Sequence, residues 1–165
     1  MLEEALSVSA AVAASDRRVL ESALTLAIEI ARQGREGRQI GTLFTLGHAS
    51  DVLESSRPLI LDPLAGHVPH STHIADERLR GTVKELAQLD GAFVIADDGT
   101  VVSACRYLDV STEGIDLPLG LGTRHLAAAS ISKRCGAIAI AVSASGTVRV
   151  FWNGQIVAVV EGRLE

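Results

Sequence analysis

The stretch DGAFVIADDGTVVSA, residues 90–104, contains two largely apolar runs separated by a short acidic turn. The runs Phe93 to Ala96 and Thr100 to Ala104 have the length and composition of β-strands. The segment Asp97-Asp98-Gly99 between them is typical of a hairpin turn. Because the first run has no polar residue, it is expected to be buried on both faces of a sheet. The stretch therefore predicts two antiparallel strands inside a covered sheet.

Further strands are expected on both sides of this hairpin. Apolar runs of strand length occur at residues 40–46, 59–61, 136–142, 148–152 and 156–160. The run after Pro58 is short and predicts a strand or an extended segment. Tight turns at Ser145-Gly146 and Asn153-Gly154 join the last three runs, so the C-terminal part of the sheet is predicted to be antiparallel.

Helices are predicted where apolar residues recur at helical spacing or where capping residues precede such a pattern. Leu20, Leu24, Ala27 and Ala31 lie on one face of a helix, which makes this the clearest case. Helical segments are expected at residues 2–14, 17–33, 49–54, 76–88 and 123–134. Helices thus precede and interrupt the strands along the chain, which is typical of an α/β arrangement.

The composition agrees with one domain of this class. The chain has 165 residues, and 47% of them are hydrophobic but only 3% are aromatic, so the core must be aliphatic. The sequence predicts a single α/β domain with a central, mixed, mostly buried β-sheet flanked by helices. Residues 1–36 are expected to form N-terminal helices that pack on a core domain of residues 37–165.

Charge and cysteine content exclude several classes of partner. A net charge of −5 leaves no basic surface for nucleic acid, and no stretch is long and apolar enough to cross a bilayer. Glu3 and Glu4 lie where a signal peptide needs positive charge. Cys105 and Cys135 have no metal-ligand spacing and are expected to be buried free thiols. We therefore expect a cytoplasmic protein that binds neither nucleic acid nor membrane.

The first candidate site is Asp90-Gly91-Ala92, directly before the first strand of the hairpin. A carboxylate at the start of a strand can ligate Mg²⁺ or Mn²⁺ and can lie next to a hydroxyl that must lose a proton. Gly91 and Ala92 have little or no side chain, so a flat base or a ribose could approach the backbone. Taken alone, these residues are better explained by a turn between a helix and a strand, because Asp-Gly is among the commonest turn dipeptides.

The second candidate site is Gly120-Leu-Gly-Thr-Arg-His125, at the start of the predicted helix 123–134. The amides of a helix N-terminus attract phosphate, and Arg124 can bind two phosphate oxygens at once. His125 could donate to a phosphate or orient the arginine, and Thr123 is either the N-cap or a ligand donor. The alternative is an ordinary helix start with an exposed Arg-His pair.

Other motifs have structural explanations. His67, His70 and His73 are evenly spaced, but a proline in the same stretch favours a loop over a zinc site. The segment Ser143 to Gly146 follows a buried strand and could bind phosphate or form a turn, and the sequence favours neither. Neither a Walker loop nor the Rossmann glycine pattern is present.

In this order, Asp90-Gly91-Ala92, then Gly122-Thr-Arg-His125, then a buried strand ending in Ser143, the chain resembles the diadenylate cyclase domain. The resemblance covers residues 37–160, so the predicted core domain is diadenylate cyclase-like, and it is strongest to the small archaeal members. It implies an enzyme that condenses two ATP molecules into cyclic di-AMP and releases two pyrophosphates. It also implies Mg²⁺ or Mn²⁺ and a homo-oligomer in which two subunits face each other.

The resemblance further implies roles for individual residues. Asp90 ligates the metal and helps the ribose 3′-hydroxyl of one ATP attack the α-phosphate of the other. Arg124 and His125 hold the phosphates, and Ser143 contacts the distal ones. The adenosine pocket is lined by Gly91, Leu108 and Thr123. Two further nucleotide-binding residues are Ala92 and Gly122.

Two positions depart from the family pattern. Many relatives have Arg-His-Arg where this chain has Leu126 at the third position, and many have an acidic residue where it has Ala144. A catalytically weak or inactive module that only binds ATP or cyclic di-AMP is therefore an alternative, and so is a structural subunit without a ligand. Because the chain ends soon after the catalytic region, we expect a free-standing soluble cyclase.

Overall fold

The structure, a computed structural model, describes residues 17–162. The strands within this range form one seven-stranded mixed sheet. In chain order the strands are β1 (Thr42–Leu46), β2 (Ser56–Pro58), β3 (Ala92–Ile95), β4 (Val101–Leu108), β5 (Ile138–Val142), β6 (Thr147–Trp152) and β7 (Gln155–Glu161). Across the sheet their order is β2-β4-β3-β1-β5-β6-β7. β1 and β3 are parallel, and every other pair in this sheet is antiparallel.

The register brings four strand ends together. Leu43 of β1 lies opposite Ala92 of the parallel strand β3, and Thr42 lies opposite Val142 of the antiparallel strand β5. Arg106 of β4 also pairs with Ala92. β1 and β3 therefore begin where β4 and β5 end. We call this the upper end of the sheet.

Helix α1 (Arg17–Gln33) covers one face of the sheet. Its Leu20 and Leu24 are buried in the same core as Phe44 of β1 and Ile140 of β5. The predicted apolar face of this helix is thus the face that packs on the sheet. The predicted boundary between residues 1–36 and 37–165 stays a prediction, although α1 shares its core with the strands.

Helices α2 (Ala49–Glu54) and α4 (Thr123–Cys135) cover the opposite face. Ala128 of α4 belongs to the same buried cluster as Ala139 and Ala141 of β5. Small side chains on both elements let the helix approach the sheet closely, which is the packing expected of a core with few aromatic residues.

Helix α3 (Glu77–Leu86) leads the chain to the upper end. It begins after Asp76, whose carboxylate accepts hydrogen bonds from the amides of Arg78 and Leu79. Shortly after α3 ends, the chain bends at Asp90 and enters β3. This connection fixes the carboxylate at the start of a central strand.

The predicted α/β sheet flanked by helices is confirmed. The predicted helix at residues 2–14 lies outside the described residues. No helix within residues 17–162 is both long and apolar enough to cross a membrane.

Of the two predicted alternatives for residues 59–61, a strand or an extended segment, the strand is wrong. These residues form a bend, and the strand that pairs with β4 is β2, immediately before them. The apolar run is misleading because its side chains are exposed, and Leu61 is 95% exposed. Pro58 is tolerated at the end of β2 because an edge strand does not need every amide for the ladder.

The return strand of the hairpin is longer than predicted. β4 continues through Cys105, which has a left-handed backbone with φ of 56°, to Leu108. The pairing of β3 with β4 shifts register between Ala92 and Val94, which is characteristic of a bulge. The extension carries Tyr107 and Leu108 to the upper end of the sheet.

Candidate functional site

A cavity of about 550 Å³ opens at the upper end of the sheet. It lies between the starts of β1 and β3, the end of β4 and the N-terminus of α4. Its walls are mainly apolar, with a few polar groups, and its lining residues are Leu43, Leu59, Asp90, Gly91, Ala92, Arg106, Tyr107, Leu108, Val110, Thr123, Arg124, Leu126 and Ala127. Most of the predicted site residues therefore meet at one cavity. Gly122, His125 and Ser143 do not line it.

Asp90 and Gly91 form one side of the opening. Asp90 is exposed, and Gly91 has a positive φ of 105°. A Cβ added to Gly91 would lie 2.6 Å from the backbone carbonyl carbon of Cys105. Glycine is thus required by both the backbone conformation and the close approach of β4.

Helix α4 supplies the opposite side. Its N-cap is Gly122, which has no side chain to cap the helix, and Thr123 is the first helical residue. Of the two predicted roles for Thr123, the N-cap is therefore wrong, and its side chain lies at the cavity instead. The uncapped N-terminus leaves amides and a partial positive charge directed toward the cavity.

Arg124 crosses from α4 to the start of β1. Its guanidinium lies directly over Gly41, where an added Cβ would be only 2.2 Å from Nη1. Burial lowers the pKa of Arg124, and the negative charge of Asp90 opposes this effect. The guanidinium remains charged at neutral pH because arginine does not lose its proton in proteins. A cation and a carboxylate therefore share this cavity.

His125 lies behind the cavity wall. It is only 6% exposed, and its ring centroid lies 6.2 Å from that of Phe151. Its Nε2 is 3.3 Å from Nη1 of Arg149 on β6. Burial lowers the pKa of His125, and the positive charges of Arg149 and Arg124 lower it further. The ring is therefore neutral at pH 7.

Ser143 occupies the turn between β5 and β6. Its hydroxyl lies 2.7 Å from that of Ser145 and accepts a hydrogen bond from the Ser145 amide at 3.1 Å. The turn alternative for this segment is thus realised. Ser143 nevertheless lies at the upper end of the sheet, because Val142 pairs with Thr42 at the start of β1.

Sequence reasoning missed several residues of the site. Arg106 and Tyr107 line the cavity, but they lie beyond the largely apolar run, residues 100–104, that defined the predicted strand. Arg106 is held by Ser56, with Nε donating to the hydroxyl at 2.9 Å. Gly41 has no local signal at all, because its importance comes from a distant arginine.

The fold and the site together define an α/β domain with a cavity between a carboxylate and a guanidinium at a helix N-terminus. The chain belongs to the DAC family: the family model described as DisA bacterial checkpoint controller nucleotide-binding matches residues 29–156. The resemblance seen in the sequence is thereby confirmed.

Two curated relatives, both from archaea, bear the name diadenylate cyclase. The protein of Methanocaldococcus jannaschii is 52% identical over 142 residues, which cover 86% of this chain and 45% of that protein. The protein of Haloferax volcanii is 41% identical over 145 residues, which cover 87% of this chain and 52% of that protein. The chain thus spans about half the length of these relatives.

Solved structures show the same fold. A double mutant of DacA from Staphylococcus aureus superposes with a TM-score of 0.57 at 24% identity, covering 87% of both chains. A hypothetical membrane-spanning protein from Bacillus cereus gives 0.60 at 19% identity, covering 87% of this chain and 69% of the other. At these identities the likeness supports the fold alone.

Proposed function

We propose that this chain is a diadenylate cyclase that condenses two ATP molecules into cyclic di-AMP and releases two pyrophosphates. The observation that carries the proposal is the cavity between Asp90 and Arg124, in a member of a family whose archaeal relatives bear this name. One side of the cavity offers a carboxylate, and the other offers a guanidinium and a helix N-terminus. This combination suits a nucleotide with a charged triphosphate.

The cavity has room for one nucleoside. Its volume of about 550 Å³ falls within the range of small-molecule sites, and Leu43, Ala92 and Leu108 provide apolar walls for a flat base. The triphosphate then points to Arg124 and the first amides of α4, where opposite charge favours it. Each subunit therefore holds one ATP.

The reaction joins two such nucleotides. The 3′-hydroxyl of one ATP attacks the α-phosphorus of the other, so an O–P bond forms while the bond to pyrophosphate breaks. The hydroxyl proton passes to the Asp90 carboxylate, and a second identical step closes the ring. Arg124 offsets the negative charge that develops on the phosphoryl oxygens. Positioning and charge neutralisation supply most of the acceleration in displacements of this kind.

Because each site holds one ATP, two subunits must face each other. Three of the residues that line the cavity have exposed apolar side chains that support such a homo-oligomer: Leu59, Tyr107 and Val110. Ile60 and Leu61, which follow Leu59 in the chain, are exposed as well. Removing this surface from water in a dimer would be favourable. The chemistry and the surface thus point to the same assembly.

The residues fit a divalent metal that arrives with ATP. Within residues 17–162, no group of three or more His, Cys, Asp or Glu side chains is placed to hold a metal alone. Mg²⁺ is commonly held by one or two carboxylates together with substrate phosphates and water, and Asp90 at the cavity supplies one carboxylate. The bound metal would neutralise phosphate charge.

The product assay tests the proposal and its metal requirement together. Incubation with ATP and Mn²⁺ or Mg²⁺ should yield cyclic di-AMP, identified by mass spectrometry. Excess chelator should lower the rate at least about a hundredfold, since the charge on the phosphates is no longer neutralised. Added metal should restore the rate. Tight ATP binding without product under any divalent ion would instead support the binding-only alternative, which Leu126 in the cavity wall favours.

Replacing Gly41 by alanine should lower the enzymatic activity while it preserves the fold. The added methyl group would displace the Arg124 guanidinium, a flexible side-chain end, so the thermal unfolding midpoint should change little. The value of kcat/KM for ATP should fall about tenfold or more, because charge-assisted hydrogen bonds to phosphate are lost.

Gly81 on α3 is the matched control for this glycine substitution. An added Cβ meets nothing within 4 Å there. Gly81→Ala should therefore raise helix stability slightly, by about 0.8 to 1 kcal/mol, without changing kcat/KM. Full activity in Gly41→Ala would contradict the assigned position of Arg124.

A further inference from the structure

Arg106 is a second cation at the cavity, and most of its guanidinium is already held by the protein. It is half-buried and lines the cavity. Its Nε donates to the Ser56 hydroxyl at 2.9 Å, and its Nη2 donates to the carbonyl oxygens of Leu53 and Ser56, each at 3.1 Å. These contacts fix the guanidinium against the last turn of α2 and against β2. The side chain therefore meets the cavity in a defined position.

One nitrogen of this guanidinium has no partner among the described residues. The three hydrogen bonds of Arg106 use Nε and Nη2, and Nη1 makes none. Nη1 is not one of the buried side-chain atoms that lack a partner, so it is accessible to solvent. A guanidinium stays charged and can only donate hydrogen bonds. Nη1 is thus available to an acceptor on the molecule that the cavity holds.

The two guanidiniums lie at opposite sides of the cavity. Arg124 lies over Gly41, immediately before β1, whereas Arg106 is anchored at β2. The strand order places β4 and β3 between β2 and β1. Three strand spacings of about 4.8 Å therefore separate the two positions by about 14 Å. This separation is closer to the length of a nucleotide than to that of one phosphate group, so the two arginines face different parts of the ligand.

We propose that Arg106 recognises the base of the bound nucleotide, with Nη1 donating a hydrogen bond to one ring nitrogen of the purine. The inference rests on the proposed function for the identity of the ligand, whose triphosphate occupies the side of Arg124. The base then lies on the opposite side, beside Ala92, which pairs with Arg106 in the sheet. Adenine has three ring nitrogens that accept hydrogen bonds, N1, N3 and N7, and a donor-only group can pair with any one of them.

The test removes one ring nitrogen at a time. Calorimetry gives the dissociation constants of AMP and of its 1-deaza, 3-deaza and 7-deaza analogues, and AMP cannot react because it has no pyrophosphate to release. One analogue should bind about ten- to a hundredfold more weakly than AMP, since a hydrogen bond to a charged group is lost. Arg106→Met should weaken AMP by a similar factor and leave the affinity of that analogue unchanged, because both changes remove the same contact.

Three results overturn the proposal. The first is equal affinity of the unmodified protein for AMP and all three analogues. The second is a loss in Arg106→Met that is the same for all four ligands, which would indicate a phosphate contact or a purely structural role. The third is no measurable binding of AMP at millimolar concentration, because a base site that includes this contact should hold the monophosphate.

Two further variants separate recognition from folding. Arg106→Met also removes three hydrogen bonds to Leu53 and Ser56, so its thermal unfolding midpoint should fall. Ser56→Ala keeps the guanidinium and removes its Nε partner, so it should weaken AMP less and again spare the sensitive analogue. It carries the test if Arg106→Met does not fold, and an equal loss for all four ligands in it counts against the proposal. Arg78→Met is the matched control: Arg78 is exposed on α3 and does not line the cavity, so all four dissociation constants should stay the same.

The two proposals fail in different ways. If AMP binds with the expected dependence on Arg106 but ATP yields no cyclic di-AMP, base recognition stands and the cyclase assignment falls. If cyclic di-AMP forms but no ring nitrogen affects binding through Arg106, only the role of Arg106 falls.

Discussion

Replacing Asp90 by asparagine is expected to lower the rate of cyclic di-AMP formation about a thousandfold, because in the proposed reaction one carboxylate serves both the metal and the attacking hydroxyl. Asparagine has nearly the same shape but can neither accept the hydroxyl proton nor offer a full negative charge. Asp90 is exposed and lies in a bend, so the fold should be preserved. Product formation by mass spectrometry and the thermal unfolding midpoint are the two measurements.

Asp97 provides the matched control for this substitution. It follows β3, whereas Asp90 precedes it, so the same change is made at the opposite end of one strand. Asp97 is also exposed, and it does not line the cavity. Asp97→Asn should therefore retain nearly full activity. Nearly full activity in both variants would show that Asp90 takes no part in the reaction.

Replacing Arg124 by methionine is expected to lower kcat/KM about a hundred- to a thousandfold, since the guanidinium proposed to neutralise phosphoryl charge in the transition state is lost. Arg124→Lys should recover only part of the loss, because an ammonium cannot bind two phosphate oxygens with a planar fork. The loss should appear in kcat as well as KM, since the charge matters most in the transition state.

Arg134 near the end of the same helix is the control for Arg124. It is exposed and does not line the cavity, so Arg134→Met should leave the kinetics close to those of the unmodified protein. If Arg124→Met changed only the unfolding midpoint and not the kinetics, its guanidinium would be a structural group. Steady-state kinetics over a range of ATP concentrations separate these outcomes.

Much of the fold could be predicted because its signals are local. The helix at residues 17–33 and the short helix at 49–54 have the predicted bounds. The longer one could be predicted because its apolar residues recur at helical spacing within the segment itself. The strand predicted at residues 59–61 was wrong because strand pairing here depends on a distant segment. The apolar run stays exposed, and the segment Ser56–Pro58 before it pairs with β4 instead.

The site residues, too, could be predicted where their signal is local and could not be predicted where it depends on a distant segment. Asp90 and Arg124 could be chosen from the sequence because a carboxylate before a strand and a cation at a helix start are recognisable in isolation. Leu108 came only from the family resemblance, and it does line the cavity. The contact of His125 with Arg149 could not be predicted, because the two residues lie 24 positions apart in the chain and Arg149 is on a strand.

The sequence by itself determined the class of fold, the family and about half of the residues around the cavity, because these depend on short patterns of polarity and spacing. Only the tertiary structure decided that Arg124 lies across Gly41 and that His125 is buried against Arg149. Both contacts depend on how α4 packs over the sheet and on the register between its strands. These are properties of distant segments brought together, and no local pattern encodes them.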